Sequence, residues 1–170
     1  MALTPTSTYA PGLQREWERL RSPGTWWTGS ERLAIAAVAR AAKAGTAMPV
    51  TDLPRAASEA AQRLSADPHV DKAWVDHIEA GGITLPAYVE ILGIVARLTA
   101  VDTFLFGIGA DEHPLPDAAA GEPSRELVPD AVVNGGFVPT VGRASAPNAL
   151  SAVEAETDAL LDLHGVLYLS

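Results

Sequence analysis

Few side chains in this sequence are placed to do chemistry, and Asp102 is the most unusual of them. It lies in "ILGIVARLTAVDTFLFGIG", on a helical line of Tyr88, Leu92, Val95, Thr99, Asp102 and Phe106 spaced by four and three residues. An acid within a packed stripe must ionise beside a partner or shift its pKa upward. Such a carboxyl can act as a general acid or base. An ion pair, with Arg97 or with an arginine of a neighbouring helix, or a bond to exposed N–H groups, is the plainer alternative. Glu31 is the second candidate, three residues after Thr28 in "TGSE", a spacing that also makes a helix capping box. His77 is the third, at the rim of a helical face made by Val70, Ala73, Trp74 and Ile78. Asp102, Glu31 and His77 are therefore the candidate catalytic groups.

The remaining polar and aromatic residues have blander readings. His164 shares a line with Val153, Leu160, Leu161 and Leu167 and reads as a packing residue, while His69 and His113 read as exposed. Trp17, Trp26, Trp27 and Trp74 are core residues or the wall of a ligand pocket. Glu90 reads as a solvated or ion-paired helix face. The chain has no cysteine, which excludes disulfides, thiolate nucleophiles and dithiol redox chemistry. No two of the four histidines fall at HxxxH spacing, so no protein-only metal site and no cofactor are expected.

Six helical segments must position these groups, with no alternating strand pattern competing. The first covers 12–21, with Leu13, Trp17 and Leu20 on one face. The second opens at the Thr28–Glu31 box, has an apolar face made mostly of alanine, and ends at Gly45. The third covers 53–65. The fourth is expected to start with Asp67 as cap and Pro68 in the first turn, and to end at Gly81 and Gly82. The fifth, from Thr84 to Phe106, is stopped by Gly107 and Gly109. From 108 to 147 the texture is dense in Pro and Gly without a period, and a connection of roughly forty residues is functional or linker-like. Val132, Val133, Phe137 and Val138 suggest that part of this arm docks on the helices. The sixth helix is expected near Pro147 or Ser151, where "SAVE" has the form of a capping box. The apolar end, Val166, Leu167, Tyr168 and Leu169, needs something to cover it.

Composition bounds the class. The 170 residues fit one domain, 1–170, and 48% hydrophobic with 19% charged residues reads as globular and helix-rich. A net charge of −9 argues against nucleic acid, which needs clustered Lys and Arg. The longest apolar run carries Arg97 and Asp102, so it is a poor membrane span. "MALTPTSTYAPG" lacks the apolar core of a signal peptide. A cytoplasmic protein without membrane partners is expected.

The stretches "WWTGSERLAIAAVARAA", "DPHVDKAWVDHIEAGGITLPAYVEILGIVARLTAVDTF", "HPLP" and "GEPSRE" resemble the alkylhydroperoxidase-like (AhpD-like) proteins of the carboxymuconolactone decarboxylase superfamily, most closely the N-terminal half of their two-half members. The resemblance implies an all-α fold of about six helices and a homo-oligomer. It places Glu31 at the family acid and the family's Cys-x-x-Cys near Lys43 to Thr46, with its histidine beyond. Here residues 43–49 are Lys, Ala, Gly, Thr, Ala, Met and Pro, so the thiol peroxidase reaction does not transfer with the fold. Three functions follow as expectations: a redox-inactive protein that binds a small molecule or serves as an assembly partner; a cofactor-free decarboxylase- or isomerase-type enzyme using acids and histidine; or a structural half partnering a cysteine-bearing one.

Overall fold

The alanine-rich face of the second helix sets how closely the molecule packs. The computed structural model describes residues 9–168, which form α1 (Ala10–Arg21), α2 (Gly29–Ala44), α3 (Arg55–Ala66), α4 (Lys72–Ala80), α5 (Leu85–Gly107) and α6 (Glu154–Tyr168). Ala36 and Ala39 of α2 meet Ala56, Ala57, Ala60 and Ala61 of α3 in one buried cluster with Ile91, Ile94 and Val95 of α5. Small side chains let the backbones approach closely, and dense contact replaces bulky knobs. On the other side, α1 and α6 pack on the end of α5 through Leu13, Val101, Leu105 and Leu163.

Several helix ends are where local chemistry puts them. Thr28 and Glu31 form the capping box of α2, and Gly45 ends it in the left-handed region at φ 66°. The hydroxyl of Thr84 accepts from the Ala87 N–H to start α5. Two starts differ from expectation. Asp67 closes α3, and Asp71, whose carboxylate accepts from the Trp74 N–H, caps α4. Residues 67–70 have no regular structure, so Pro68 precedes the helix rather than opening it. In "SAVE", the Ser151 hydroxyl accepts from the Val141 N–H and donates to the Asn148 carbonyl. It ties a loop together and leaves α6 to begin at Glu154.

The arm also contains strands that the sequence reading lacks. β1 (Ala131–Val133) and β2 (Pro139–Val141) pair antiparallel, Val132 opposite Thr140. β2 turns inward, with Pro139 and Thr140 buried and Val138 packed on the core, and Ala131 of β1 joins it there, whereas Val132, Val133 and Phe137 stay exposed. The rest of the arm is tied to the segment after α1 by backbone bonds, Ala119 N–H to Arg21, Ser124 to Gly24 and Arg125 to Thr25. The Trp17 indole donates to the Pro114 carbonyl. At the C-terminal end Leu167 packs against the Leu13 cluster, and Val166 lies against Gly12. Leu169 and the Tyr168 side chain fall outside the described residues.

Three cross-links fix the relation of α2 to α5. The Trp27 indole donates to the Ala87 carbonyl, Arg32 pairs with Glu90, and Arg40 pairs with Asp102. The order is the same along both segments, so α2 and α5 run parallel and end side by side.

Candidate functional site

Asp102 stands near the end of α5, and Arg40 of α2 grips its carboxylate at two points, Nε to Oδ2 at 3.0 Å and Nη2 to Oδ1 at 2.7 Å. The same guanidinium donates to the His113 carbonyl at 2.8 Å and lies 3.2 Å from the Glu112 carboxylate. Two-point pairing of this kind is the stronger class of charged hydrogen bond. The partner of Asp102 is therefore the arginine of a neighbouring helix and not Arg97.

Beside this pair opens a cleft of about 710 Å³, within the size range of small-molecule sites. Lys43 and Ala44 at the end of α2 form one wall, Thr103 and Phe106 at the end of α5 another, and Ala110 and Glu112 close the third side. Phe106 is 84% exposed, so its ring is available to whatever enters. Lys43 is exposed. Both parallel helices present their carbonyl ends here, the negative pole of each macrodipole.

The other two predicted groups lie elsewhere. Glu31 closes the capping box, its Oε2 accepting from the Thr28 N–H at 2.8 Å and from the Thr28 hydroxyl at 2.8 Å. It borders a separate groove between α2 and residues 49–53. His77 is exposed on α4, its Nε2 2.8 Å from Glu59 of α3. The hydrogen bond with His77, with a further one from Arg55, holds the Glu59 carboxyl below its ordinary range. Asp102, Glu31 and His77 thus border three different clefts and do not form one constellation. His69, His113 and His164 are exposed. Trp27 is buried in the core, and none of the four tryptophans lines the cleft at the end of α2.

The sequence reading missed a second cluster, made of Glu16, Arg32, Glu90, Arg97 and Glu156, all buried. Arg97 pairs with Glu156 through Nη1 and with Glu16 through Nε at 2.5 Å. Arg32 pairs with Glu90 and, at 3.1 Å, with the other oxygen of Glu156. Glu90 also accepts from the Trp26 N–H at 2.6 Å. Glu156 is therefore the bridge, joining the α2 arginine to the α5 arginine. Burial pushes the Glu90 carboxyl above its ordinary range, opposed by Arg32 and reinforced by the Glu156 charge. Burial pushes Glu156 up as well, but Arg97 and Arg32 outweigh it and its pKa is lowered. Arg97 is held above its usual range because Glu156 and Glu16 overcome the opposing effect of burial.

Glu90 is therefore ion-paired but not solvated. One signal could have shown this: α5 is buried on nearly every side between Ala87 and Leu98, so a charge within that stretch must be buried too. Gly24 and Gly93 make room for the cluster. A Cβ at Gly24 would overlap Glu90 and Arg32, and one at Gly93 would overlap Glu156.

Among the described residues no group of three histidine or acidic side chains could hold a metal ion, and no helix is long and apolar enough to cross a membrane. No family model, curated protein or solved structure matches the chain.

Proposed function

We propose that this protein is a redox-inactive relative of the AhpD-like family that binds a small molecule in the cleft at the shared end of α2 and α5. The observation that carries this reading is the cleft itself, about 710 Å³ and bordered by Lys43 and Ala44. That is the stretch where the family resemblance places a cysteine pair. A scaffold that keeps the recess and lacks the thiols keeps binding and loses redox chemistry. The Arg40–Asp102 pair forms a fixed polar edge, and Phe106 supplies an apolar surface, the usual division of labour in a ligand site. Acid–base catalysis is less well supported: both oxygens of Asp102 are held by Arg40, and Glu31 and His77 border other clefts.

Filling the recess tests the reading. Ala44 is exposed at the last position of α2, so Ala44→Trp should occupy the cleft with a stability change within about 0.5 kcal/mol. Ligand-observed NMR with a library of small aromatic fragments should find binders to the wild type that Ala44→Trp no longer holds. Equal binding by both proteins, or none to the wild type, would overturn the assignment.

A further inference from the structure

We infer that the ligand of this cleft is an organic cation, an ammonium or guanidinium head on a small apolar body. The inference rests on the binding reading above and adds the sign of the charge.

Two carboxylates, Asp102 and Glu112, edge the cleft, and Arg40 is shared between them. The parallel course of α2 and α5 adds two helix C-termini to the same place, each carrying roughly half a negative charge. In α2 this pole is answered by Lys43 in the last turn. In α5 no basic residue occupies the last turn, and the carbonyls of Phe104, Leu105 and Phe106 accept from the N–H groups of Ile108, Ala110 and Gly109. Arg40 and Lys43 equal the two carboxylates in number, but the Glu112 side chain is 58% exposed, which makes it the carboxylate open to a ligand in the cleft that Thr103 and Phe106 also line. The whole chain, at −9, draws cations in the same direction.

Phe106 makes the preference chemical as well as electrostatic. Its ring is 84% exposed at the cleft edge, and an aromatic face attracts ammonium and guanidinium groups through its quadrupole. An anion placed there would meet that face, two carboxylates and a carbonyl-ended helix, with exposed Lys43 as its main attraction. A cation meets the ring and the exposed Glu112 carboxylate, with its apolar body against Phe106 and Ala110.

Three probes of matched body decide the matter: benzyltrimethylammonium, benzyl alcohol and benzoate. Each is titrated into the full chain at low salt while the amide resonances of Ala44, Thr103, Phe106 and Ala110 are followed. The cation should bind at least about ten-fold more tightly than benzoate, reflecting like-charge exclusion of the anion. Phe106→Ala should weaken the cation about three-fold, Glu112→Gln should weaken it about two-fold, and added salt should weaken it further. Benzoate or benzyl alcohol binding as well as the cation would overturn the charge assignment while leaving the cleft a binding site. Shifts at none of these amides with any probe would overturn both.

Discussion

Arg97 and Arg40 both clasp carboxylates across helix boundaries, yet one does so at 1% exposure and the other at the lip of an open cleft. Around Arg97, charges are removed from water and must satisfy one another. Burial, reinforced by the neighbouring Glu156 charge, raises the Glu90 pKa, while Glu16 meets Arg19 as well as Arg97. Around Arg40 the pair is largely buried too, at 12% and 11% side-chain exposure, but the guanidinium has further partners in Glu112 and the His113 carbonyl. The comparison separates two uses of charge: one joins α1, α2, α5 and α6 at a single point, the other edges a recess that a ligand can enter.

The largest effect should come from stranding the buried acids. Arg97→Met leaves Glu16 and Glu156 short of a partner and should lower unfolding stability in urea by about 3–5 kcal/mol. Replacing all three together, Arg97→Met with Glu16→Leu and Glu156→Met, should recover most of that loss, because no uncompensated charge remains. A triple variant as unstable as the single would mean that packing, not charge, makes the junction.

At the cleft, Asp102→Asn should cost only about 1 kcal/mol in the same measurement, since Arg40 keeps Glu112 and the His113 carbonyl. A loss equal to that of Arg97→Met would erase the distinction between the two regions.

The smallest effect is a pH dependence. Glu90 has a folded pKa above its unfolded value, so its contribution is fully present below the unfolded pKa and is lost as pH rises through the folded one. Glu90→Gln removes that ionisation and keeps an acceptor for the Trp26 N–H. Its stability relative to wild type should improve from about pH 4 to about pH 8, by no more than about 1 kcal/mol. Glu156, lowered, works the other way: its contribution is present above the unfolded pKa and is lost as pH falls through the folded one. A variant whose relative stability falls with rising pH would show that Glu90 is better off ionised.

The parts of this architecture that were legible in the sequence are those decided within a turn or two of helix. The Thr28–Glu31 box, the glycine stop at Gly45 and the Thr84 cap depend on neighbours a few residues away, and each is where its chemistry requires. Asp67 and Ser151 misled for a related reason. Each has the residue type of a cap, but Asp71 lies nearer the start of α4, and the Ser151 hydroxyl is engaged by the hairpin and Asn148. The buried cluster was out of reach because its members meet only in the folded chain, Arg32 and Glu156 being separated by 124 positions. Charged side chains scattered along a sequence ordinarily mark solvent. The cleft is half legible: Asp102 stands out for its place in an apolar stripe, but the parallel course of α2 and α5 that brings Lys43 and Phe106 to one cleft is a property of the tertiary fold.

Glu156 has a consequence for how the molecule comes apart. It is the one member of the buried cluster that lies beyond the irregular arm, and it enters over Gly93, where a side chain would block it. Lift α6 away and the remainder is electrically whole: Arg32 keeps Glu90 and Arg97 keeps Glu16. Of the other helices, α2 would strand Glu90, and α1 could leave on the same electrical terms because Arg97 would keep Glu156, but α1 adds Leu20 to the alanine-packed cluster whereas no residue of α6 belongs to it. The sixth helix is thus the natural first step of partial opening, a hinged cover whose release spares the alanine-packed centre.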